Sequence, residues 1–156
     1  MDEIIKRHKF HEEMIERCIC LGEFASKNGD IPVGCIIIHG DQIVATAYNT
    51  RVHGNDPLGH AELNAIREAC KKLGVNRLDD ASIYVNLEPC TMCASAIQQC
   101  KISKIFFGAW DEKAGGCGGN YDIVRDSHLG MRLQVYGGIL EDRCVAQLTD
   151  FFGNLR

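Results

Sequence analysis

The stretch "ASIYVNLEPCTMCASAIQQCKISKIFFGAW", residues 81–110, decides the fold. Its opening "ASIYVNL" is a short apolar run of strand length, "CTMCASAIQQC" (90–100) reads as a helix, and "KIFFGAW" (104–110) reads as a second strand. Outward from it the alternation continues. "IPVGCIIIHGDQIVATAYN" (31–49) holds two β-branched runs around Gly40-Asp41, which predicts a hairpin. Residues 60–73 form a helix with Ala61, Ala65, Ile66, Ala69 and Leu73 on its buried side. Residues 2–27 form an amphipathic helix, with Ile5, Met14, Cys18, Leu21 and Ala25 near helical spacing, stopped by Asn28-Gly29. "MRLQVYGGIL" (131–140) holds the last strand. "EDRCVAQLTDFFGNLR" (141–156) is an acid-started closing helix with Cys144, Leu148, Phe151 and Phe152 as its inner stripe. Strands alternating with helices predict an α/β sandwich, a central sheet with helices on its faces. In such sheets ligands gather at strand ends beside helix N-termini.

With 156 residues, 46% of them apolar, and no repeat or linker, the chain is expected to form a single domain, 1–156, with a sizeable core. No run approaches a membrane span, and the charged N-terminus lacks the apolar core of a secretory signal, so the expected compartment is the cytoplasm, with no membrane partner. The nine cysteines, at 18, 20, 35, 70, 90, 93, 100, 117 and 144, do not read as a disulfide framework in a reducing cytosol. Most are expected to be buried small hydrophobes, Cys18 and Cys20 included. A net charge of −4 denies the chain the bulk basic footprint of many nucleic-acid binders, which leaves only a local basic patch.

Two cysteines have metal-ligand spacing. In "LEPCTMC" (87–93), Pro89 suits the edge of a helix, and Cys90 and Cys93 fall at i and i+3 in its first turn with both sulfurs on one face. The positive end of that helix favours thiolates. Alone, a C-x-x-C fits a zinc knuckle, a redox pair or chance. In "LGHAEL" (58–63), His60 is the most attractive third ligand, because His8 and His11 lie in the charged first helix, His39 at a hairpin tip, and His53 and His128 in loops. One imidazole and two thiolates leave a fourth tetrahedral position for water, which is the pattern of a catalytic zinc. Glu62, two residues from His60, then reads as a proton carrier rather than a ligand, since zinc lowers the pKa of its water to about 7. Residues two apart on a helix do not face each other. The Asp56-Pro57-Leu58-Gly59 lead-in is therefore expected to bend the chain so that both side chains reach one cleft.

H-x-E followed by P-C-x-x-C is the signature of the zinc deaminases. The chain resembles the cytidine and deoxycytidylate deaminase superfamily and, within it, the bacterial tRNA-specific adenosine deaminases. The resemblance runs from about Ile31 to Phe152 through "IPVGCIII", "NDPLGHAE", "LDDASIYVNLEPCTMCASAI", "KIFFGAWDEKAGGCGG" and "GGILEDRCVAQLTDFF". It implies a three-layer α/β/α sandwich with a five-stranded mixed sheet, one Zn2+ per subunit, and a homodimer whose subunits together form the RNA site. It also implies conversion of adenosine to inosine at the wobble position of a tRNA anticodon stem-loop. By position, His60, Cys90 and Cys93 would hold zinc and Glu62 would shuttle protons. Asn49 would read the base, Val33, Leu87 and Pro89 would wall its pocket, and Asp111 and Lys113 would touch the nucleotide backbone. Phe151, Phe152 and Arg156 sit where the family's closing helix meets RNA.

Three features depart from that pattern. Leu58-Gly59 stands where the family usually has Thr-Ala, the closing helix ends "FFGNLR" without a basic tail, and the chain is acidic overall. Phosphate contacts supply much of RNA affinity, so a local patch from Arg51, Lys101, Lys104, Lys113, Arg125 and Arg132 would have to replace that tail. Two other readings follow: a deaminase of the same fold acting on a free base or nucleoside such as guanine or cytosine, and a non-catalytic zinc-binding module. Glu62 argues against the module, because a structural zinc site needs no acid beside it.

Overall fold

The computed structural model describes residues 2–130 and 133–155. Its elements run α1 (Asp2–Lys27), β1 (Gly34–His39), β2 (Gln42–Tyr48), α2 (Ala61–Leu73), β3 (Ser82–Leu87), α3 (Thr91–Gln99), β4 (Lys104–Ala109), β5 (Gln134–Tyr136) and α4 (Glu141–Asn154). The five strands form one mixed sheet in the order β2-β1-β3-β4-β5. β1 pairs antiparallel with β2 and β3, and β3, β4 and β5 are parallel. Gly40, at φ 64°, occupies the first central position of the β1–β2 turn, where a two-residue hairpin needs a positive φ.

Alternation along each strand divides the core. Ile37, Ile83, Val85, Ile105 and Phe107 face Ala61, Ala65 and Ala69 of α2 and Ala94 and Ile97 of α3. Ile36, Ile38, Tyr84 and Phe106 face Met14, Ile15 and Cys18 of α1 and Cys144 of α4. Helices on both faces make the expected three-layer α/β/α sandwich. No helix of the described residues is long and apolar enough to cross a membrane.

Several inner-stripe assignments do not hold. Ile5 is exposed, because the first turns of α1 project past the sheet and burial begins only near His11. Leu73 is exposed at the last residue of α2, just before Gly74 turns the chain away in the left-handed conformation. Phe152 is exposed and Phe151 half-buried, since only the N-terminal half of α4 lies on the sheet. Cys20 is exposed, while Cys18 two residues away is buried. The last strand is three residues long, and Met131, Arg132 and Arg156 fall outside the described residues.

Candidate active site

The two motifs meet at the C-terminal ends of β3 and β4. After Leu87 the chain leaves the sheet, and Cys90 becomes the N-cap of α3 with extended backbone (φ −70°, ψ 175°). Pro89 therefore precedes the cap instead of opening the helix. It is buried, and its carbonyl accepts a 2.8 Å hydrogen bond from the Gly116 N–H. Cys93 is the third helical residue, and side chains at the cap and at that position are neighbours across the first turn.

His60 is likewise a cap, the N-cap of α2, extended at φ −79°, ψ 145°. The imidazole thus leaves the chain before the helix begins, whereas Glu62 leaves from within the first turn. This break in conformation lets two residues with one alanine between them turn toward the same place. His60 Nδ1 lies 3.7 Å from Cys90 Sγ and 3.5 Å from Cys93 Sγ, and the three atoms fall within 4.8 Å of one another. Tetrahedral zinc with its usual N and S bond lengths holds those atoms about 3.6 Å apart. The donor set and its spacing therefore fit zinc, and it is the only such cluster of His, Cys, Asp and Glu among the described residues.

The surroundings charge the site as that chemistry requires. Hydrogen bonding from the Cys93 thiol and from His60 pulls the Cys90 thiol down to about 4, while Cys90 beside it holds the His60 imidazole above its ordinary value. Cys93 is pushed the other way by Cys90 and by burial. Glu62 is buried, and loss of solvent raises its carboxyl to about 7. A carboxyl in that range can both take and give a proton near neutral pH.

A cavity of about 250 Å³ opens beside this group. Val33, Asn49, Leu87 and Asp111 line it, together with His60, Glu62 and Cys90. Pro89 and Lys113 do not. Lys113 is exposed, and its N–H and that of Ala114 both donate to Asp111 Oδ1 at 3.0 Å, so the Asp111 carboxylate shapes its own turn. Arg51 lies at the cavity, but Arg125 pairs with Asp122 at 2.9 Å and Lys104 lies at the opposite ends of the strands. Arg51, Arg125 and Lys104 therefore do not gather into one patch.

Asn49 has a second duty. Its Oδ1 accepts a 2.8 Å hydrogen bond from the N–H of Ala61, the first residue of α2, which orients the amide and leaves Nδ2 as the donor toward the cavity. Asn64 of α2 donates to the Tyr48 carbonyl at 3.0 Å and to Thr50 Oγ1 at 2.9 Å, so the same helix start is tied twice to the end of β2. Gly59 fits here because a Cβ would lie 2.9 Å from both the Thr50 carbonyl carbon and Thr50 Oγ1. This close approach accounts for glycine at the position before His60.

The residue that sequence reasoning missed is Glu88. It is 2% exposed and accepts three backbone hydrogen bonds, from Asp111 (2.9 Å) at Oε1 and from Cys117 (2.9 Å) and Gly119 (2.8 Å) at Oε2. The loop after β4 wraps around this carboxylate. A Cβ at Gly115 would sit 2.3 Å from Glu88 Cδ, and one at Gly119 would sit 2.1 Å from Glu88 Oε1. The available signal was the glycine-rich run 115–119, which fits an acid displayed just ahead of the Pro-Cys pair.

A metal-ready trio of donors, a buried acid and a base-sized cavity at the strand ends agree with what related chains indicate. Residues 8–109 match the model of the cytidine and deoxycytidylate deaminase zinc-binding region, and the chain belongs to that family of zinc-dependent deaminases. Within it, the chain is 39% identical to the tRNA-specific adenosine deaminase of Bacillus subtilis (strain 168), over 85% of this chain and 82% of the relative. A chain solved in studies of A-to-I editing by tRNA:A34 deaminases superposes with a TM-score of 0.84 at 32% identity, covering 87% of this chain and 99% of that one. The guanine deaminase of Bacillus subtilis superposes with a TM-score of 0.63 at 37% identity, over 69% of each chain.

Proposed function

We propose that this chain is one zinc-dependent hydrolytic deaminase domain that converts adenosine to inosine at the wobble position of a tRNA anticodon. The observation that carries the reading is the buried Glu62 carboxyl on the same cavity as the His60–Cys90–Cys93 cluster. Similarity that extends over most of the chain to proteins named for this activity supports the substrate.

In this reading His60 Nδ1 and the sulfurs of Cys90 and Cys93 hold the zinc. When bound, zinc supplies the Lewis acidity that makes water a nucleophile at neutral pH. Glu62 would accept a proton from water as its oxygen adds to C6 of the base and pass it to the ring nitrogen; it would then take the proton of the new C6 hydroxyl and hand it to the departing amine, so that adenosine and water give inosine and ammonia. Asn49 Nδ2 donates to the purine edge, and Val33 and Leu87 sandwich the ring. Asp111 and Arg51 flank the mouth, where the nucleotide backbone passes. The target must leave its stack to reach C6, and an anticodon loop presents unpaired bases that do so at low cost.

A homodimer accords with the exposed apolar side chains Val52, Leu58 and Tyr121. Nine unpaired cysteines suit a reducing, cytoplasmic setting. Action on a free base is the second reading, favoured by the likeness to guanine deaminase, although that likeness leaves out nearly a third of the chain. The deciding experiment offers the purified protein an anticodon stem-loop with wobble adenosine beside free adenine, adenosine, guanine and cytosine. Inosine in the stem-loop alone is the expected result. Ammonia from a free base alone overturns it.

A further inference from the structure

A second cavity, of about 630 Å³, lies on the other face of the sheet and at the other ends of its strands. Its floor is built by register. Tyr84 of β3 pairs with Phe106 of β4, and Phe106 pairs with Tyr136 of β5, so the three rings stand side by side on the α1 face. They are nearly parallel: Tyr84 and Phe106 are 4.6 Å apart at 7°, and Phe106 and Tyr136 are 4.9 Å apart at 15°. His11 of α1 lies over Phe106 at 4.2 Å and shares a 2.7 Å hydrogen bond with the Tyr84 hydroxyl, which fixes the roof to the floor.

The stack ends in the open. β5 is the edge strand, Tyr136 is 46% exposed, and among the described residues no further ring covers it. The two side chains of fixed charge that line the cavity, Arg7 and Lys104, are both cations. Arg7, His8 and Lys104 line the cavity, and no carboxylate does so among the described residues. On α1, Glu12 Oε1 lies 3.2 Å from His8 Nε2, and among the described residues no carboxylate forms an ion pair with Arg7 or Lys104. Burial, with His8, Lys104 and Arg7 close by, holds the His11 imidazole below its ordinary pKa.

An exposed aromatic face continues its stack with any planar ring, and such stacking tolerates any base. Guanidinium and ammonium groups beside it select a ring that carries phosphate or a similar anion. The volume lies within the range of small-molecule sites. We propose that this cavity is an accessory site for a nucleoside monophosphate, with its base on Tyr136 and its phosphate between Lys104 and Arg7. The ligand would sit on the α1 side of the sheet, while the deaminase site uses the starts of α2 and α3 on the opposite side.

The test is calorimetric titration of the full-length, zinc-loaded protein with AMP, adenosine and inorganic phosphate. AMP should bind more tightly than either of its parts. Lys104→Ala and Tyr136→Ala should each weaken it roughly tenfold, whereas Lys104→Arg and Tyr136→Phe should retain it, with zinc content unchanged in all four. Asn49→Ala, on the other cavity, should leave AMP binding unaltered. Four outcomes overturn the proposal: no AMP binding, inorganic phosphate or adenosine binding as well as AMP, alanine variants that bind normally, or binding abolished by Asn49→Ala.

Discussion

Glu88→Gln changes one atom of a buried carboxylate, and the consequence can be worked from the hydrogen bonds. Of the two orientations open to glutamine, the milder puts the NH2 where Oε1 stands, since Oε1 receives one N–H and Oε2 receives two. The Asp111 N–H then loses its acceptor inside the protein, which costs about 1–3 kcal/mol, and the other two bonds lose their charge assistance. A total near 2–4 kcal/mol is expected, or about 5–15 °C in melting temperature for a domain of this size. Glu88→Ala orphans all three donors and should cost more. Gly119→Ala in the wild type drives a methyl into Glu88 Oε1, but it would also meet the Asp111 carbonyl oxygen at 2.5 Å. The double variant Glu88→Ala, Gly119→Ala should therefore be less damaged than the sum of its parts, without full rescue. Urea denaturation of the zinc-loaded proteins measures all four values. Additive losses, or a Glu88→Gln protein within about 0.5 kcal/mol of wild type, would refute the claim that this carboxylate organises the loop.

Glu62→Ala should keep zinc and fold yet lose inosine formation by about 10²–10⁴-fold, read by metal analysis beside turnover on the stem-loop; normal turnover would end its role as proton carrier. Cys93→Ala should lower bound zinc and the melting temperature together, because metal affinity is coupled to folding; unchanged metal content would show that the ligands are wrongly chosen. His11 has its pKa lowered in the fold, so below its ordinary value the unfolded chain binds the extra proton and stability falls as pH drops. His8, Lys104 and Arg7 face it, with Glu12 paired to His8. His11→Phe should flatten the part of that acid slope below about pH 6.5 in denaturation curves compared with wild type, and an identical slope would remove His11 from the account.

Much of the framework was readable because it rests on period and spacing. Ala61, Ala65 and Ala69 recur at helical interval and are all buried, and the two runs about Gly40-Asp41 pair as a hairpin. His60, Cys90 and Cys93 could be chosen because a histidine, a C-x-x-C pair and an acid have few joint explanations. What stayed hidden depends on partners distant in the chain. Nothing local to Leu73 or Phe152 tells that the sheet ends before it can cover them. Glu88 has no periodicity to betray it, since its partners are backbone N–H groups 23 to 31 residues further on. The cap conformation of His60 is set by the loop folding back on Thr50, where Thr50 N–H meets the Gly59 carbonyl at 2.8 Å.

Asn49 limits how such a site can diverge. The same amide that looks into the cavity also fastens the first peptide of α2, next to His60. Altering it to admit a different molecule would loosen the metal-bearing turn at the same stroke, so a lineage drifting in preference would meet a loss before any gain. Val33, Leu87 and Arg51 present side chains to the cavity without that anchoring hydrogen bond. Adaptation, natural or in the laboratory, has its open route through those three positions.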